Sequence, residues 1–139
     1  MRSIKPLVLA FLLALAPLPL AAQQFFSAAP SAEELENAPV LLVDIRQPHE
    51  WVQTGVLPNA LLIPFNDPAS FQQALAPHLR PGQPVALICR SGNRTSRAGQ
   101  ILAQQLPVPV IDVQGGMLRL LAQGYTPAPP TREAGCTIC

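Results

Sequence analysis

Cys89 stands between an apolar run, Pro84-Val85-Ala86-Leu87-Ile88, and a polar segment, Arg90-Ser91-Gly92-Asn93-Arg94, that leads into Thr95-Ser96. A cysteine so placed is a candidate nucleophile. Gly92 and Asn93 are residue types that tolerate positive φ, so the loop can curl until successive backbone N–H groups point inward and form an anion cradle. A helix opening at Thr95 adds its unpaired donors and the positive end of its dipole. With Arg90 and Arg94 beside it, Cys89 is favoured as the thiolate, and an anion is held against the sulfur. If that anion is thiosulfate, Cys89 attacks the outer sulfur, sulfite departs and a persulfide stays behind. Inert burial as a small apolar residue is the ordinary fate of a free cysteine. A doubly cationic, glycine-containing loop argues against it here.

The chain has three cysteines. Cys136 and Cys139 form a Cys-x-x-Cys pair at the C-terminus, and the natural arithmetic joins them as a disulfide or redox pair, leaving Cys89 free. As a dithiol the pair could also accept sulfur from Cys89 or offer two soft ligands. The nearby sequence supplies no histidine to complete a metal site. No metal and no cofactor is called for.

The elements that must position Cys89 read as alternating strands and helices. Ser31-Ala32-Glu33-Glu34 is a capping box that opens a short helix. Residues 40–45, apolar and rich in β-branched types, and residues 84–88 are strands buried on both faces of a parallel sheet. Residues 61–63 form a shorter strand, and residues 108–113 another. Pro48 opens a helical turn through Trp51, Pro68 opens a helix with Phe71, Leu75 and Leu79 on one face, and residues 95–106 carry a buried stripe of Ala98, Ile101, Leu102 and Leu106. Gly115-Gly116 turns the chain into a last helix over residues 117–122. This is an α/β fold: a small parallel sheet with helices on both faces, with Cys89 at the end of a strand where such sheets bind ligands.

These residues resemble the rhodanese family of sulfurtransferases, in particular its small single-domain secreted members. Asp44-Ile45-Arg46 with Glu50-Trp51, Gly55, Pro58 and residues 60–64 is similar to the family's N-terminal signature. Residues 89–96 are similar to its active-site loop, and Gly115-Gly116-Met117 with Gly124-Tyr125 to its C-terminal signature. The resemblance implies a rhodanese-like fold, Cys89 as the persulfide-bearing residue, and Arg90, Ser91, Gly92, Asn93, Arg94 and Thr95 lining the substrate pocket. It assigns Asp44, Arg46 and Glu50 to a structural charge network. Val56 after Gly55, Asn59 before Ala60 and Leu120 near the end depart from the usual pattern and alter packing rather than chemistry.

The implied activity moves sulfane sulfur from thiosulfate or a persulfide or polysulfide donor to cyanide or a thiol acceptor. The rivals are a thiol relay or binding module built on Cys136 and Cys139, and a cysteine phosphatase. Phosphatase loops hold one more residue between cysteine and arginine than residues 90–93 provide here, a wider cradle suited to tetrahedral phosphate.

Met1-Arg2-Ser3-Ile4-Lys5, an apolar stretch from Leu7 to Leu15 and the segment Ala16-Pro17-Leu18-Pro19-Leu20-Ala21-Ala22 read as a signal peptide over residues 1–22. The expected organisation is therefore a leader, a domain over residues 23–126, and a Pro-rich tail over residues 127–139 running as an extended, mobile arm. The expected location is periplasmic or secreted, with no stable membrane association after cleavage. The formal net charge of +1 gives no sign of a nucleic-acid partner.

Overall fold

The computed structural model describes residues 24–139, so the leader expected over residues 1–22 lies outside the described residues. The elements run β1 (Phe25–Ala28), α1 (Ala32–Asn37), β2 (Leu41–Asp44), α2 (Pro48–Thr54), β3 (Leu61–Leu62), α3 (Pro68–Leu75), β4 (Val85–Ile88), α4 (Asn93–Leu102), β5 (Val110–Val113) and α5 (Gly116–Ala122), with a 3₁₀ turn at Ala76–His78. The strands form one sheet in the order β1-β5-β4-β2-β3, and every pairing is parallel. Among the described residues no helix is long and apolar enough to cross a membrane.

A parallel sheet covered on both faces needs two apolar layers, and alternate residues of the strands divide accordingly. Leu42, Ala86, Ile88 and Val113 pack with Leu35 of α1, Trp51 of α2 and Met117 and Leu120 of α5. Val43, Val85, Leu87 and Val110 pack with Phe71 and Leu75 of α3 and Ala98 and Leu102 of α4. Each Val, Leu, Ile, Phe or Met among them contributes about 1.5–3 kcal/mol when fully buried. The division has a topological result. The chain leaves β2 toward α2 on one face and leaves β4 toward α4 on the other, so a crevice opens between the C-terminal ends of two adjacent strands, the switch point at which open α/β sheets bind ligands.

Two features differ from the sequence reading. Strand β1 was not expected: only Phe25 of its four residues is partly shielded, and it exists by pairing with β5 from Phe25↔Val110 to Ala28↔Val113. The tail is also not an extended arm. Val56 and Ala128 exchange backbone hydrogen bonds at 2.8 and 2.9 Å, and the Leu62 N–H on β3 donates to Ala134 O at 2.7 Å. Cys136 is buried in the same layer as Trp51 and Leu62 and is joined to Cys139 as a disulfide. Backbone hydrogen bonds and one buried cystine sulfur thus fold back a segment that has no hydrophobic period of its own.

Candidate active site

Cys89 follows β4 directly, is fully buried and is the free cysteine of the described residues. The Gly92 N–H donates to its sulfur at 3.1 Å. That approach needs Gly92 at φ 94°, where it caps α4, so the helix begins at Asn93, two residues before the expected start at Thr95. A Cβ at residue 92 would stand 2.9 Å from Gly115 N, which adds a steric reason for glycine to the conformational one.

The loop is held from its other side by α5. Met117 N–H donates to Cys89 O at 2.9 Å and Leu118 N–H to Arg90 O at 3.0 Å. Gly116, at φ 53°, lies so close to the Cys89 carbonyl that a side chain there would collide with it. The Gly-Gly pair is therefore a clamp on the loop as well as a turn.

The cationic groups have distinct partners. Arg46 and Asp44, both buried, form an ion pair at 2.7 Å; Arg46 also donates to Thr54 Oγ1 at 2.6 Å and to Gly55 O at 2.8 Å. Glu50 does not join them through its carboxylate. Its two oxygens accept from both terminal nitrogens of Arg94 at 2.7 and 2.6 Å, and one of them caps α2 by accepting from Gln47 N–H at 2.9 Å. The Arg94 guanidinium holds Glu50 down at about 2, against the opposing effect of its partial burial, with help from the Gln47 N–H. The expected three-residue network thus contains two ion pairs, with Arg94 entering the second, and Arg46 links them by lowering Glu50 electrostatically and by its Nη1 donating to the Glu50 carbonyl at 3.5 Å. Arg90 is exposed and borders a narrow recess of about 50 Å³ with Arg46, Glu50 and Met117. Ser91 and Asn93 are also exposed.

Thr95 is buried and sits at the centre of contacts the sequence did not reveal. Its Oγ1 lies 3.5 Å from Cys89 Sγ and 2.6 Å from Oδ1 of Asp112 on β5. Asp112 is buried too, and its other oxygen accepts from Ser27 Oγ at 3.0 Å. One signal was available: Asp112 is the lone charge in the run Val108-Pro109-Val110-Ile111-Asp112-Val113, and a charge inside a buried strand must have partners.

Cys136 and Cys139 are not part of this constellation. Cys89 packs in the layer beneath α3 and α4, Cys136 in the layer on the opposite face.

Residues 27–123 match the family described as the rhodanese-like domain. The chain belongs to the rhodanese-like domain family. A sulfurtransferase of Allochromatium vinosum is 35% identical over 61% of this chain and 75% of that protein. The adenylyltransferase and sulfurtransferase MOCS3 of Drosophila grimshawi is 33% identical over 61% of this chain, which spans only 20% of its length. Among solved structures, a probable thiosulfate sulfurtransferase superposes with a TM-score of 0.56 at 27% identity, over 72% of this chain and 47% of that one. The polysulfide-sulfur transferase homodimer of Wolinella succinogenes shares the fold with a TM-score of 0.59 at 24% identity, over 79% of this chain and 82% of that one. The rhodanese-like fold and the sulfurtransferase relatives support sulfur transfer as the general chemistry of this domain.

Proposed function

We propose that this rhodanese-like domain is a sulfurtransferase that carries sulfane sulfur as a persulfide on Cys89. The donor class is thiosulfate or a persulfide or polysulfide; the acceptor is cyanide or a thiol. The observation that supports it is the seat of Cys89 Sγ, a free thiol at the switch-point end of β4 with the Gly92 N–H directed at it at 3.1 Å.

In the loading step the Cys89 thiolate attacks the outer sulfur of thiosulfate. A sulfur–sulfur bond forms, the old one breaks, and sulfite leaves with the electron pair. In discharge the acceptor thiolate or cyanide attacks the outer sulfur of the persulfide, and Cys89 departs as thiolate. The Gly92 N–H and the start of α4 stabilise negative charge on the Cys89 sulfur in both steps. Arg90 is the cation we assign to the donor's oxygens, because Arg94 already spends both terminal nitrogens on Glu50.

The leader read over residues 1–22 supports a periplasmic or secreted site of action; the partners in this reading are a small sulfur anion and a thiol or cyanide acceptor.

Mass spectrometry of the purified protein after incubation with thiosulfate, alongside Cys89→Ser, tests the reading. A gain of one sulfur atom that cyanide removes and the variant lacks is expected. No gain with thiosulfate or with polysulfide would overturn it.

A further inference from the structure

Cys89 is fully buried, so its ionisation inside the fold requires somewhere for the proton to go. The described contacts contain one continuous route. Thr95 has a single hydroxyl proton and two pure acceptors in reach, Asp112 Oδ1 at 2.6 Å and Gly92 O at 3.0 Å. The shorter bond, to a carboxylate, is the stronger. With its proton committed there, Thr95 Oγ1 faces Cys89 Sγ at 3.5 Å as an acceptor, and the thiol S–H donates to it. Beyond Asp112, Ser27 Oγ donates to Oδ2 at 3.0 Å from an exposed position on β1.

Resting on the reading of Cys89 as the nucleophile, we propose that Asp112 is the proton acceptor for the Cys89 thiol, reached through the Thr95 hydroxyl, with Ser27 linking the pair to solvent. The Cys89 S–H bond breaks and its electron pair stays on sulfur. The proton binds Thr95 Oγ1 while the hydroxyl's own proton passes to Asp112 Oδ1. Proton count and net charge are unchanged. Negative charge moves from a carboxylate beside β1 to a sulfur beneath the Gly92 N–H, where it is nucleophilic. Asp112 acts through Thr95 and is a positioning and proton-holding residue rather than one that touches substrate.

Other charges in the neighbourhood do not offer this route. Arg94 on α4 interacts electrostatically with Cys89 but is paired with Glu50 of α2; Arg90 in the loop carries no acceptor; Asp44 on β2 is consumed by Arg46. Facing Asp112 are Ser27 from β1 and Thr95 from α4.

The alternative is that Asp112 merely fastens β1 to α4. The two roles separate in the pH dependence of Cys89 alkylation by iodoacetamide, which needs no sulfur donor and reads one thiol because Cys136 and Cys139 are bonded to each other. A shared proton gives two macroscopic steps. In the wild type the rate is expected to level off over the range where the pair holds one proton, then rise again. In Asp112→Asn a single step is expected, the rate falling tenfold per pH unit through the range where the wild type is flat. Thr95→Val should reproduce the single step with Asp112 intact, and Thr95→Ser should restore the plateau, so loss of folding cannot imitate the result. Coincident single-step profiles in wild type and Asp112→Asn would overturn the proposal while leaving persulfide formation on Cys89 standing. A plateau in a protein that takes no sulfur from any donor would leave the proton path standing and remove the sulfurtransferase reading.

Discussion

Arg94 and Glu50, 44 residues apart in the chain, are joined through both terminal nitrogens of one and both oxygens of the other. The pair spans the crevice at the switch point, tying the first turn of α4 to the first turn of α2.

The pH dependence of this bond follows from its direction. Glu50 is held down at about 2 by Arg94, so it stabilises the fold fully above the ordinary carboxylate range and loses that contribution as pH falls toward 2. The Arg94 side chain is 41% exposed, and solvent screening limits the pair to about 0.5–1 kcal/mol. Glu50→Gln should lower stability by that amount at neutral pH and flatten the acid limb of the stability profile, as followed by urea unfolding at several pH values.

The two loop arginines should part company in kinetics. Arg90→Ala is expected to raise the KM for thiosulfate about tenfold, a loss of ~1.4 kcal/mol of binding, with little change in Tm. Arg94→Ala should lower Tm and affect KM less. Steady-state assays with thermal melts of both variants check the contrast, and reversed effects would return the donor's oxygens to Arg94.

The Asp44–Arg46 pair is a different kind of interaction, since both side chains are buried. Removing one partner leaves an uncompensated charge, and Arg46→Met should cost about 3–5 kcal/mol. Asp44→Asn with Arg46→Met should cost less than the sum of the single changes. Chemical denaturation of the three variants gives the coupling.

Gly116→Ala should act on the loop rather than the sheet. The new Cβ meets the Cys89 carbonyl, and φ of 53° is unfavourable for alanine. A loss of about 1–3 kcal/mol is expected, together with slower alkylation of Cys89. Gly82→Ala, also at positive φ but facing open space, should lose stability without touching that rate.

The sheet and the loop were legible because their signals are local. Buried strands are continuous apolar runs, the Ser31 capping box forms as read, with Glu34 N–H bonded to Ser31 Oγ at 3.1 Å, and Gly92, a residue type that tolerates positive φ, takes φ 94° in the turn after Cys89. What was missed depends on distant partners. Strand β1 has no pattern without β5, and the Ser27–Asp112 bond joins residues 85 apart. That Glu50 faces Arg94 is disclosed by nothing in the segment of either residue. The tail's proline content argues for an extended arm, and its bonds to Val56 and Leu62 and the burial of Cys136 say otherwise.

Those tail bonds bear on how copies of the chain meet one another. A sheet ending in an unfilled strand offers its backbone to any neighbour with a compatible edge, and such edges seed aggregation. At β3 that offer is taken up from within: Ala134 occupies the outward N–H of Leu62, and the cystine at Cys136 and Cys139 closes the segment that brings it there. The tail therefore acts as a stand-in for a sixth strand. A chain cut after residue 126 should keep its Cys89 loop yet self-associate with rising concentration, and a reducing agent should push the intact protein in the same direction.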